Sequence, residues 1–191
     1  ITALLSGKKV LGHENEILEV INTNELYQLI DKLKYNSVKD LLKAHKILMK
    51  NILLDAGKFR NKNVGILKGK KVCHIAPKPF LVPELIEKLF TWANKDKDVH
   101  FLIKSCILHY ELEFIHPFAD GNGRIGRFWQ TLTLSKSNPI YKYIPIESII
   151  KKNQKKYYNS LEASDRSGES TVFIEFMLEM ILTSLEEFTS Q

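Results

Sequence analysis

Twelve consecutive residues, 116 to 127, contain most of the side chains in this sequence that could do chemistry. They read His-Pro-Phe-Ala-Asp-Gly-Asn-Gly-Arg-Ile-Gly-Arg. Histidine is the residue type that titrates near neutrality, so His116 could take a proton from an alcohol. Asp120 offers a hard oxygen ligand of the kind that Mg²⁺ uses together with phosphate oxygens and water. Pro117 cannot continue a helix, which places His116 on a loop.

The second half of the run suits an anion. Gly121 and Gly123 allow close backbone approach, and a helix beginning at Asn122 would direct its free N–H groups and dipole at a phosphate. Arg124 and Arg127 lie three residues apart, on one side of that helix, and each guanidinium can bind phosphate through two hydrogen bonds. Taken singly, these features are common in loops, turns and solvated helix faces. Together they predict a site that holds a nucleoside triphosphate beside an activated hydroxyl.

Helical periodicity surrounds this run. Apolar residues recur at spacings of three and four between 17 and 33. Ser37 is placed to cap a helix whose buried face includes His45, and Pro83 to open one that ends near Asn94. Asp98 is expected to cap the helix that ends just before His116. The residues expected on the buried face of that helix are Leu102, Ile103, Cys106, Ile107 and Tyr110.

The pattern changes between residues 57 and 82. Short alternating stretches there predict a β-hairpin closed near 68–70. Further helices are expected over about 122–137, 146–163 and 170–188. The fold class is therefore all-α, one mostly helical domain with a single hairpin, covering residues 13–191 after an N-terminal segment, 1–12.

Composition narrows the class of protein. With 44% hydrophobic and 26% charged residues in 191, the chain is typical of a globular domain, and neither a membrane span nor a signal peptide is expected. Two cysteines, Cys73 and Cys106, predict reduced core thiols in a cytoplasmic protein. The net charge of +6 comes from scattered lysines. Nucleic acid is an unlikely partner because no base-reading element accompanies that charge, whereas polyphosphate remains suitable.

Residues 116–127 resemble the signature of the Fic domain, His-x-Phe-x-(Asp/Glu)-Gly-Asn-Gly-Arg-x-x-Arg, at every fixed position. The likeness extends over about residues 13–185. Residues 57–60 and the following hairpin, about 62–80, resemble the family's target-docking flap, and 156–161 are similar to the helix that closes the nucleotide pocket. The resemblance implies a Fic-type helical bundle with a small β-hairpin flap.

The resemblance also implies an activity, the transfer of AMP from ATP to a Ser, Thr or Tyr hydroxyl of a target protein with release of pyrophosphate. Relatives with Lys in place of Gly123 transfer a different phosphoryl group, so glycine favours AMP transfer. By position, the resemblance makes His116 the base, Asp120 the Mg²⁺ ligand, Asn122 and the amides around Gly121 and Gly123 the anion hole, Arg124 the contact to the inner phosphates and Arg127 the contact to the γ-phosphate.

Several expectations keep an alternative. Tyr157 and Tyr158 form a wall of the adenosine pocket or simply pack their helix. In the flap, the backbone of Ile66 and Leu67 or of His74 and Ile75 could pair with a target strand by β-augmentation, although His74 is also an ordinary polar hairpin residue. The function could instead be transfer of another nucleotide, such as UMP, or nucleotide sensing by a regulator with a DNA-related role. A homo-oligomer is compatible with all of these.

Residues 2–7, Thr-Ala-Leu-Leu-Ser-Gly, resemble the family's inhibitory helix, (Ser/Thr)-x-x-x-Glu-(Gly/Asn). In relatives the glutamate of this helix pairs with the second arginine of the motif, which is Arg127 here. Ser6 occupies the glutamate's place, and a hydroxyl cannot neutralise a guanidinium as a carboxylate does. We therefore expect weak autoinhibition, unless residues 2–7 are an unrelated N-terminal segment.

Overall fold

A computed structural model of the chain describes residue 6, residues 12–68 and residues 71–190, with backbone alone for 66–68 and 71–74. This described part contains eight α-helices and one two-stranded sheet, which confirms the all-α fold with a small hairpin. In chain order the elements are α1 Glu14–Tyr27, α2 Val38–Leu48, β1 Gly65–Lys68, β2 Lys71–Ile75, α3 Val82–Lys95, α4 Phe101–Ile115, α5 Asn122–Ser137, α6 Ile146–Lys152, α7 Gln154–Ser167 and α8 Thr171–Thr189. The boundary between an N-terminal segment and a domain starting at residue 13 stays a prediction.

Helices α4 and α5 lie at the centre, between two hydrophobic clusters. The first cluster joins them to α1, α2 and α3 and includes Leu112 and Trp129. The second joins them to α6, α7 and α8 and includes Cys106 and Leu134. The junction between α4 and α5 contains residues 116–121 and is anchored in the first cluster by Phe118.

The predicted buried face of α4 is partly wrong. Cys106 and Tyr110 are buried as expected, but Ile103 is 38% exposed, while Leu108 and Leu112 are almost completely buried. Because a cluster packs on each side of α4, its burial does not follow one apolar stripe. Asp98, the predicted cap of this helix, is also wrong, because another residue is the N-cap.

At the start of α4, His100 is the N-cap, and its Nδ1 accepts a hydrogen bond from the Leu102 N–H at 3.4 Å.

Local signals elsewhere predicted the element ends well. The Ser37 hydroxyl accepts from the Asp40 N–H at 3.2 Å, and Pro83 lies in the first turn of α3.

The single helix expected over 146–163 is instead two helices that meet at Asn153. The Asn153 side chain donates to the Ile149 carbonyl at 3.0 Å, and this competition with backbone bonding favours a break.

The hairpin pairs β1 and β2 antiparallel. Ile66 faces His74 and Lys68 faces Lys71, with an irregularity in register after Ile66, so the predicted closure near 68–70 is confirmed. Ile75, at the end of β2, is 80% exposed. None of the described helices has the length and apolar character that crossing a membrane requires.

Candidate active site

His116 ends α4 in a conformation that is unusual for a residue with a Cβ. Its backbone is left-handed, with φ 49° and ψ 61°. The ring Nδ1 lies 3.3 Å from the Glu113 carbonyl oxygen. Since a carbonyl only accepts, Nδ1 carries the proton in this contact, and in the neutral ring Nε2 is then the basic nitrogen.

The loop after His116 is closed by Asn122. The Asn122 Oδ1 accepts from the Phe118 N–H at 2.9 Å, and its Nδ2 donates to the Phe118 carbonyl, also at 2.9 Å. Phe118 is fully buried, as the anchoring of this loop requires. The Asn122 side chain thus braces the turn, and a role in the anion hole is left to its backbone N–H.

His45 of α2 supports the same loop from beneath. Its Nδ1 accepts from the Gly57 N–H at 2.9 Å, so its Nε2–H donates to the Asp120 carbonyl at 2.9 Å. The ring stacks on Phe118 with centroids 3.6 Å apart. Burial lowers the pKa of His45 to about 4, so the ring is neutral at neutral pH. Sequence reasoning placed His45 only among the buried positions of a helix and missed this contact.

Gly121 begins α5 and is required by both backbone and space. Its φ is +81°, and a Cβ there would lie 2.7 Å from the Met49 Sδ. The N–H groups of the first turn that follows have no intrahelical acceptor and point out of the helix end. The structure therefore contains a helix terminus with free N–H groups between Asp120 and Arg124, and its binding of an anion stays a prediction.

Asp120, the predicted Mg²⁺ ligand, and Arg124, a predicted phosphate contact, face each other beside this terminus. The Asp120 Oδ1 accepts from the Gly121 N–H at 2.6 Å, and its Oδ2 lies 3.6 Å from the Arg124 guanidinium. On the other side, Arg124 lies 2.7 Å from a carboxylate oxygen of Glu19, although the angle does not suit a hydrogen bond. Helix α1 thus provides a counter-charge that periodicity could not reveal.

Arg127 also meets a carboxylate. Its Nε lies 3.8 Å from Oε2 of Glu147 on α6, and the Tyr27 hydroxyl donates to Oε1 of the same carboxylate at 2.5 Å. Burial, together with the charge of Glu147, raises the pKa of Tyr27. The Cβ of any side chain at Gly123 would lie 3.1 Å from Nη1 of Arg127, so glycine keeps this side of α5 open.

A buried polar network, formed by His109, Glu113, Gln130 and Tyr157, lies beneath Arg127. The His109 Nδ1 donates to Oε1 of Gln130 at 2.8 Å, and its Nε2 accepts from the Tyr157 hydroxyl at 3.1 Å. Oε1 of Glu113 lies 3.8 Å from the same Nε2 and has no hydrogen-bond partner within the described part of the chain.

Burial governs the protonation of this network. It raises the pKa of Glu113 to about 7, against the opposing effects of Arg127 and the Tyr157 hydroxyl. Burial also lowers the pKa of His109 to about 3. Sequence reasoning did not single out Glu113. Its position, one helical turn from His109 on a helix with no single polar face, is the signal that could have found it.

Tyr157 and Tyr158 share one cavity with Arg127 and Glu147. The cavity measures about 400 Å³ and is also lined by Gln154. Tyr157 is 3% exposed, and Tyr158 is 45% exposed. Their predicted place beside the adenosine stays a prediction, and the buried Tyr157 ring also packs its helix, as the alternative expected.

The remaining predicted residues lie away from this junction. Ile66, Leu67, His74 and Ile75 are in the hairpin. Ser6 is an exposed turn residue, but the rest of the expected inhibitory helix, residues 2–5 and 7, lies outside the described residues. Within the described ranges, no three or more His, Cys, Asp or Glu side chains group as metal ligands, so Asp120 is a single carboxylate.

The fold and site define a helical domain with a glycine-bounded helix terminus and two arginines at the junction of its central helices. The chain belongs to the Fic/DOC family, whose model matches residues 35–134. Its fold is similar to that of a Fic family protein from Desulfovibrio desulfuricans G20, with a TM-score of 0.94 and 42% identity over 99% of this chain and 58% of that one. Fic-1 (aa134–508) from C. elegans has the same fold, with a TM-score of 0.79 and 23% identity over 99% of this chain and 56% of that one.

Longer relatives carry a functional name. A protein adenylyltransferase Fic from Drosophila sechellia is 30% identical, and one from Culex quinquefasciatus is 28% identical. Each match covers 95% of this chain and 35% of the relative. The chain thus spans only 35% of the length of these curated relatives.

Proposed function

We propose that this protein is a Mg²⁺-dependent protein adenylyltransferase, which transfers AMP from ATP to a Ser, Thr or Tyr hydroxyl of a target protein and releases pyrophosphate. The observation that carries the proposal is the junction between α4 and α5. There a histidine with a basic Nε2, an exposed carboxylate and the amide end of a long helix meet, with two arginines on that helix. Relatives named protein adenylyltransferase Fic support the choice of AMP.

The triphosphate would bind at the beginning of α5. The N–H groups of Asn122, Gly123 and Arg124 and the helix dipole provide positive charge there. Arg124 would contact the inner phosphates and Arg127 the γ-phosphate, each exchanging a carboxylate partner for phosphate oxygens. The adenosine would lie in the cavity beside Tyr157 and Tyr158.

Asp120 is the residue that would hold Mg²⁺. Its side chain is 64% exposed and lies next to the helix terminus. A single carboxylate fits Mg²⁺, which keeps several waters and takes its other ligands from substrate phosphates. When bound, the ion would neutralise charge that develops on the phosphates.

The acceptor hydroxyl would lose its proton to Nε2 of His116. Its oxygen then forms a bond to the α-phosphorus while the bond from that phosphorus to the bridging oxygen breaks, and pyrophosphate leaves. Positioning and charge neutralisation supply most of the rate in such a transfer. We propose that the target segment pairs with an open edge of the hairpin, along Ile66 and Leu67 or along His74 and Ile75.

The test is transfer of label from α-labelled ATP to proteins of a lysate, with the acceptor and the added mass identified by mass spectrometry. His116→Ala should abolish transfer and preserve ATP binding. His13→Ala, at an exposed histidine whose side chain makes no capping bond, is the matched control. Transfer retained by His116→Ala would remove His116 as the base. Competition by GTP, CTP or UTP would identify another nucleotide, and turnover of none would refute the proposal.

A further inference from the structure

Arg60 is a buried cation that contacts the end of α4. The residue is 5% exposed. Its Nε donates to the His116 carbonyl at 2.7 Å, Nη2 reaches the Ile115 carbonyl at 3.3 Å, and its backbone N–H donates to the Pro117 carbonyl at 2.9 Å. Three consecutive carbonyls around His116 therefore accept from one residue. The positive charge also suits the negative end of the α4 dipole.

The same guanidinium holds both stems of the hairpin. Nη1 donates to the Lys62 carbonyl at 2.9 Å, before β1, and Nη2 to the Pro77 carbonyl at 2.5 Å, after β2. The planar arrangement of the arginine donors lets one side chain reach carbonyls on three different segments. Burial leaves these bonds little competition from water.

His116 needs such support. A left-handed backbone is unfavourable for a residue with a Cβ, and the direction of the imidazole depends on that backbone. Hydrogen bonds from a charged donor are stronger than those from a neutral one, and arginine does not lose its proton. Arg60 is thus suited to hold His116 in this conformation.

We propose that Arg60 is a positioning residue for the transfer reaction, which fixes the backbone of His116 relative to both stems of the hairpin. A target hydroxyl presented by the hairpin would then meet Nε2 of His116 in a set geometry. The inference rests on the proposed function, because it takes His116 as the base and the hairpin as the docking element.

Arg60→Lys tests this, since lysine keeps the charge but loses the planar set of donors. Arg166→Lys, at an exposed arginine of α7, is the matched control. We expect Arg60→Lys to lower kcat for labelled AMP transfer by about 10- to 100-fold, as misplacement of a reacting group does. The KM for ATP should stay within about twofold, because Arg60 does not contact the helix terminus that would bind phosphate.

Two further measurements do not depend on activity. Hydrogen exchange should speed up at amides 60–65 and 75–76 in Arg60→Lys, and the ring NMR signals of His116 should shift, with neither change in Arg166→Lys. If the wild-type chain transfers no nucleotide, the proposed function fails, while these two measurements still decide the link between His116 and the hairpin.

Three results would overturn the inference. One is unchanged exchange and ring signals in Arg60→Lys. Another is that ATP binding, AMP transfer and thermal stability all fall in proportion in Arg60→Lys, which would give Arg60 a purely structural role. The third is failure of both Arg60→Lys and Arg60→Gln to fold while Arg166→Lys folds, since the residue would then act on the whole domain.

Discussion

Replacing Glu113 with glutamine should change how the stability of the protein depends on pH. Glutamine has nearly the shape of a protonated glutamic acid and keeps one donor and one acceptor, but it cannot ionise. Glu113 is buried beneath Arg127, beside His109 and Tyr157, and burial raises its pKa to about 7. Above that pH the wild-type protein therefore contains a buried, charged carboxylate, whereas the variant keeps a neutral side chain at the same place.

The size of the effect follows from the two pKa values. In the unfolded chain the carboxyl ionises near its ordinary pKa of 4.5, and in the folded protein it ionises near 7. The stability associated with the neutral form is fully present below pH 4.5, falls as the pH rises, and is lost above about 7. Each tenfold change in proton affinity corresponds to about 1.4 kcal/mol, so the total loss is about 3 kcal/mol.

The assay is equilibrium unfolding in urea, followed by circular dichroism at several pH values between 4.5 and 8. The difference between Glu113→Gln and wild type isolates this carboxyl. His45 and His109 have the opposite effect on stability. Their pKa values are lowered to about 4 and about 3, so folding becomes less favourable as the pH falls below their ordinary pKa of 6.5. Both histidines are present in the variant and in wild type, so their effect cancels in the difference. Glu87→Gln, at an exposed position of α3, is the control.

The expected result is that Glu113→Gln gains about 3 kcal/mol relative to wild type between pH 4.5 and 8. The control should show no such change. Parallel stability curves for Glu113→Gln and wild type would refute the reasoning, because they would mean that Glu113 ionises alike in the folded and unfolded chains.

Two other substitutions test the anion site. Gly121→Ala should destabilise the protein in urea by more than Gly168→Ala. Both glycines have a positive φ, which costs an L-residue about 1–2 kcal/mol, but only at Gly121 would the new Cβ crowd Met49. Equal losses of stability in the two variants would contradict this. Glu147→Gln should tighten ATP binding by about two- to fivefold in calorimetry, since it removes a partly exposed carboxylate 3.8 Å from Arg127 and preserves an acceptor for the Tyr27 hydroxyl. Unchanged or weaker binding would show that this carboxylate does not compete with phosphate.

The outcome for the individual elements shows how far sequence reasoning extends. The Ser37 cap, the start of α3 at Pro83 and the closure of the hairpin depend on neighbouring residues, and the structure confirms all three. The buried face of α4 was mispredicted because two clusters pack against it. The break at Asn153 was missed because apolar periodicity continues through it.

The sequence by itself determined the chemistry that residues 116–127 can offer, since the types and spacing of a base, a carboxylate, glycines and arginines are local properties. Tertiary structure alone decided what those groups meet. Arg124 faces Glu19, Arg127 faces Glu147, and Arg60 holds the backbone of His116. These contacts join residues far apart in the chain, and they depend on how whole helices pack. No local periodicity or spacing encodes that packing.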